Sequence, residues 1–194
     1  QRLFASLFAR HLALVAPPAL ALLLNARRVR NCDLWTGLGF WLLGPPVAAL
    51  MGQVVAWVSA CVTPRTGRRL ALGVVVMLLN GLALGLHIAL EPPITGHQWL
   101  FGYMSGSIYD EALSIPHSLL WYRTANVAGA LALVWGLEAW RRRGGGEARR
   151  FTALFAAAAL SWSGMTLTEH RFGVRIDRET IAEELGGRVE TEHF

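Results

Sequence analysis

Hydrophobic positions in this chain come in long blocks, not in the short alternations of strands or the stripes of soluble helices. Residues 70–90 hold 21 positions without a formal charge, and residues 151–168 are also uncharged. Residues 34–62 are apolar throughout, and 3–24 and 118–139 are mostly so. Runs of this length match the roughly 20 residues a helix needs to cross a hydrocarbon core. The pattern therefore predicts an all-α membrane protein, a bundle of about five transmembrane helices near 3–24, 34–62, 70–90, 118–139 and 151–168. A small extracytoplasmic αβ tail is expected to follow over 169–194.

Prolines and glycines modify these elements. Pro17-Pro18 interrupts the first block and is expected to bend or break it. Residues 3–24 then read either as a first span or as an amphipathic lead-in at the interface. As one straight helix, 34–62 would reach roughly 43 Å, beyond a core of about 30 Å. Gly44-Pro45-Pro46 lies inside it, so a kinked or broken element is expected there. A single long crossing is the preferred reading, and a re-entrant hairpin is the alternative. Gly81 and Gly85 form a GxxxG spacing, which chance readily supplies in a chain with 20 Gly. The block 151–168 is rich in Ala, Ser and Gly, which predicts packing against other helices.

Charge punctuates the blocks. The segments 63–69 and 140–150 carry three and five Arg, whereas 91–117 carries none. Basic residues favour the cytoplasmic side, which puts 91–117 and the tail outside. Arg27, Arg28 and Arg30 conflict with this if 34–62 crosses once. The formal net charge of +5 comes with 18 basic residues, all Arg. These flank apolar blocks and form no interleaved aromatic and basic surface, so nucleic acid is not an expected partner. Cys32 and Cys61 are not in a CxxC pair and are expected to be free thiols.

The segment 91–117 is long for a connector and holds the candidate chemistry. Glu91, His97, Trp99, Tyr103, Asp110, Glu111 and His117 belong to it, and a short surface helix is expected over 108–113. The ligand types suit a metal, but no pair has a short ligand spacing, so no metal or other cofactor is expected. Arg123 lies about one turn into its span. An intramembrane charge suggests function. With Trp121 and Tyr122 beside it, outward snorkelling is expected, with Asp110 or Glu111 as partner. Gln53, Asn80 and Asn126 are read as helix–helix hydrogen-bonding groups, and His87 near a span end as ambiguous.

In the tail, Phe172, Val174 and Ile176 alternate like a strand. Asp177 looks like an N-cap, and Val189, Thr191 and His193 resume the alternation. Strand, short helix and strand are expected, a unit too small to bury a core alone. Residues Val189, Glu190, Thr191, Glu192, His193 and Phe194 resemble the opening strand of bacterial peptidase-MA-like (gluzincin) domains. That resemblance implies that the spans anchor a peptidase-like domain outside this stretch. No zinc ligand or catalytic Glu of the family maps onto a position here.

HExxH, Walker A, GxSxG and GxGxxG are all missing from the sequence. The expected function is thus a non-catalytic scaffold or anchor in a bacterial inner membrane. Its partners would be the lipid bilayer and other membrane or extracytoplasmic subunits, with an oligomer possible. A permease-like subunit with broken helices, and the anchor of a truncated zinc-peptidase-like domain, are the alternatives.

Overall fold

The computed structural model describes residues 2–26, 33–90, 95–100, 102–105, 114–142 and 145–174. It is mostly helical: α1 (Arg2–Ala26), α2 (Leu34–Leu43), α3 (Pro45–Val62), α4 (Thr66–Leu90), α5 (His117–Arg141) and α6 (Gly146–Leu167). Between α4 and α5 lies an antiparallel hairpin of β1 (Thr95–Gln98) and β2 (Gly102–Ser105). A 3-10 turn, Glu169–Phe172, follows α6.

Among the described residues three helices are long and apolar enough to cross a membrane: Leu3–Ala26, Leu34–Val62 and Thr66–Leu86. Only 6% of the first and third windows is buried within the chain. Leu14, Leu20, Leu22, Leu70, Leu78 and Leu82 therefore face outward. Exposed apolar surface on this scale costs about 25 cal/mol per Å² in water and nothing in hydrocarbon. α5 and α6 form at the expected places. Arg123 and Glu138 within α5, and the charged first turn of α6, lower their apolar character.

Two expectations about helix breaks turn out differently. Gly44 does interrupt the second block: its φ of −88° and ψ of −92° separate α2 from α3, and Pro45 opens α3. Proline suits a first helical turn because no hydrogen bond is lost there. Pro17-Pro18, by contrast, does not break α1, which runs continuously through both. Both rings lie on the exposed side, away from the packed face. A helix in an apolar setting retains its remaining hydrogen bonds strongly, so the loss of two N–H donors is absorbed.

α3 is the central element and packs against α1, α2, α4 and α5. Gln53 is buried and clips α1 to it. Its Nε2 donates to the Phe4 carbonyl at 2.6 Å, and its Oε1 lies 3.1 Å from His11 Nδ1. Helix–helix hydrogen bonding, expected of this residue, is what it does. Asn80 is also buried, but its Nδ2 has no hydrogen-bond partner among the described residues. A Cβ added to Gly81 or Gly85 would meet no described atom within 4 Å, so their GxxxG spacing packs nothing inside the described chain.

The tightest helix pair is α5 with α6. A Cβ on Gly129 would come within 3.1 Å of the Trp162 ring, and one on Gly136 within 3.0 Å of the Phe155 ring. Small residues on α5 thus receive aromatic rings of α6. At the end of this pair, buried Glu138 accepts from Arg142 Nε at 3.0 Å and lies 3.8 Å from Arg141. Arg142 also pairs with Glu147 and sits 4.9 Å over the Phe151 ring. The short α5–α6 connection is thereby held by charge at one end and by ring-in-groove packing along its length.

Among the described residues Cys61 is a free thiol, while Cys32 lies outside them. The same holds for the helix expected over 108–113 and for the tail from residue 175. Phe172, expected in a strand, belongs to the 3-10 turn instead.

Candidate functional site

The hairpin was not visible as strands in the sequence, and its position is the central feature of the site. His97 pairs with Tyr103 and Gln98 with Gly102 across it. Its turn carries Trp99 and Leu100, and these enter the bundle. Leu100 is buried in one cluster with Met51 and Val54 of α3 and Ala130 and Val134 of α5, and Trp99 packs against that cluster. The tip therefore dips between two helices.

Non-helical backbone in an apolar bundle leaves carbonyls that need donors. Arg123 supplies one. Its Nη1 donates to the Trp99 carbonyl at 3.0 Å. The residue is 1% exposed and is the largest fully buried side chain among the described residues. The expected snorkelling toward solvent is thus corrected: the guanidinium turns under the hairpin, because the turn carbonyl offers an acceptor inside the protein. Arg123 Nε and Nη2 have no hydrogen-bond partner among the described residues.

Gly102 makes this approach possible. Its φ is +100°, a conformation that side chains disfavour. A Cβ there would also overlap Arg123 Nη2. Both the backbone angle and the guanidinium require glycine at this position.

His97 completes the contact between hairpin and helices. Its ring centroid is 5.2 Å from that of Tyr122, and its imidazole reaches the backbone of Val174. Burial pushes the His97 pKa below its ordinary 6.5; the Val174 backbone opposes this, and the Arg123 charge adds to it. A histidine depressed in the folded state stays neutral there while the unfolded chain binds a proton. Its contribution to stability is therefore complete above about pH 6.5 and is lost as pH falls through the lower native value. Hydrogen exchange of amides 97–105 should accelerate between pH 7 and 5, and His97→Gln should flatten that response. An unchanged slope in the variant would assign the effect elsewhere.

The 3-10 turn docks beside the same site. Phe172 stacks on Trp121 with centroids 3.8 Å apart and planes 16° from parallel. Trp121 Nε1 donates to the Met165 carbonyl at 3.1 Å. Gly173 adopts a left-handed conformation at φ 65°, and Val174 N–H returns to the Glu169 carbonyl.

Comparison with known proteins yields no match, whether to a family model, a curated protein or a solved structure. The site is therefore read from its own chemistry.

Of the residues expected to matter, His97, Trp99 and Arg123 come together. His117 begins α5 and is exposed, lining a separate groove with Trp121 and Phe172. Tyr103 is placed only by its backbone, in β2. Glu91, Asp110 and Glu111 lie outside the described residues, as does the side chain of His87. Among the described residues no cluster of three His, Cys, Asp or Glu side chains could hold a metal. Sequence reasoning overlooked Leu100 and Gly102, read Tyr122 only as an aromatic beside Arg123, and read Phe172 and Val174 only as strand positions. The available signal was Gly102 itself, a glycine between two short segments in a stretch rich in aromatics. What the assembled group offers is a buried cationic donor, a neutral imidazole and stacked rings. These groups hold the hairpin against α5 and the turn after α6.

Proposed function

We propose that this chain is a scaffold or anchor in a bacterial inner membrane, crossing it five times and presenting 91–117 and the tail to extracytoplasmic partners. The observation that carries this reading is how the chain leaves α6. The exit is fastened by the Phe172–Trp121 stack and by the burial of Val174, so the segment departs from a fixed point on the hairpin end. Such a point suits a protein that holds other groups in register. The Arg-free character of 91–117 supports its placement outside. The permease-like alternative invokes breaks at Pro17-Pro18 and at Gly44-Pro45-Pro46; the first pair sits on the exposed side of a continuous α1, whereas the second does separate α2 from α3.

Cysteine labelling tests the topology. In a Cys32→Ser, Cys61→Ser background, Ser114→Cys and His170→Cys should react with an impermeant maleimide on intact cells. Gly67→Cys and Gly145→Cys should react only after permeabilisation. The opposite pattern, or labelling of all four from outside, would overturn the arrangement. Photo-crosslinkers at His117 and Asp110 should yield discrete protein adducts that one at Gly67 does not. Their absence would remove the scaffold reading.

A further inference from the structure

Between the hairpin-side ends of α5 and α6 lies a groove of about 550 Å³. Its floor is apolar, formed by Leu120 and Met165, and its wall is the stacked pair Trp121 and Phe172. Its rim carries His117 and Arg171, both exposed. Glu169, the acid of the same turn, is not among the lining residues. Leu120 is 42% and Phe172 39% exposed, so the apolar part opens outward.

We propose that this groove binds an anionic phospholipid, with one acyl chain along Leu120 and Met165 and the phosphate held by Arg171 and His117. Three features select that chemistry. A soluble anion would gain nothing from the apolar floor. A neutral lipid would gain nothing from the Arg171 charge. An aromatic pair beside a guanidinium at the end of two helices matches the interfacial level, where rings and basic side chains meet headgroups. The imidazole of His117, also lining the groove, adds an N–H donor. Trp121 is held rigid by its bond to the Met165 carbonyl, so the wall is in place before a lipid arrives.

This inference rests on the membrane reading. The test uses the full chain purified in a mild detergent and incubated with labelled phosphatidylglycerol or phosphatidylcholine. Lipid retained after gel filtration is measured. Wild type should retain phosphatidylglycerol preferentially. Arg171→Gln should lower its retention about fivefold, the effect of one basic side chain near a membrane surface. Leu160→Gln, on an exposed part of α6 away from the groove, should leave retention unchanged. Equal retention of the two lipids by wild type, or an unchanged Arg171→Gln variant with native circular dichroism, overturns the proposal. Displacement of the lipid by excess inorganic phosphate would also overturn it, assigning the rim to a free anion. Recovery of the chain in the soluble fraction of cells would instead remove the membrane reading itself. Recovery in membranes without lipid preference removes only this inference.

Discussion

Replacing Arg123 with alanine should destabilise the protein by about 2–4 kcal/mol, whereas methionine should change stability by no more than about 1 kcal/mol. The alanine figure is that of the void left by a large buried side chain, because the lost charged bond to Trp99, about 1.5–3 kcal/mol, is offset in both variants by removal of the buried guanidinium. Methionine fills most of that volume. It loses the same bond, but it also removes a guanidinium whose burial costs several kcal/mol and whose Nε and Nη2 have no hydrogen-bond partner among the described residues. The two effects nearly cancel. Denaturant unfolding in micelles measures both variants, and hydrogen exchange at 97–105 reports hairpin docking. Alanine should release the hairpin. A methionine variant as unstable as alanine would show that the charge itself holds the fold. A stable methionine variant would show that Arg123 is kept for a role beyond stability.

Gly136→Leu should cost about 1–3 kcal/mol and part α5 from α6, while Gly136→Ala should be close to neutral. The added Cβ of alanine meets Phe155 ring atoms at 3.0 and 3.2 Å. Phe155 is 41% exposed, so its ring can yield by a few tenths of an ångström. Alanine also gains roughly 0.8–1.0 kcal/mol of helix propensity over glycine, which offsets that displacement. Leucine brings further carbons into the same space, and no ring movement of that size accommodates them. Melting temperature separates the variants, and a distance measurement between spin labels on the two helices reports the separation. Equal stability of the leucine and alanine variants would mean that this contact does not set the helix spacing. Gly129, facing Trp162, should behave alike.

The legibility of the fold follows from range. Helical blocks depend on neighbours within a few turns, so long apolar runs located the helices to within about a turn and a half. The break at Gly44 was readable for the same reason: a glycine followed by two prolines is a local breaking signal. Pro17-Pro18 carried a similar local signal, but no glycine precedes it and both rings lie on the exposed side of α1, which runs through them. The hairpin was unreadable. Its strands are four residues each, too short for a period of two to show, and their backbone bonds lie across a turn rather than along a run.

Arg123 shows the limit most clearly. Sequence placed a charge one turn inside a span beside two aromatics, and the nearest water was its expected destination. Its actual acceptor is a carbonyl 24 positions earlier, brought close by a turn that inserts between α3 and α5. By itself the sequence determined that these segments are helical, that 3–24, 34–62 and 70–90 are apolar enough for a membrane, and that Gly44 interrupts the second of them. These are properties of adjacent residues and of total apolar area. Tertiary structure alone decided that Arg123 is buried, that Gly102 must lack a side chain beside it, and that Phe172 and Val174 dock where the hairpin does. Each of those depends on which distant backbone groups need a partner once water is excluded, and local pattern carries no record of that.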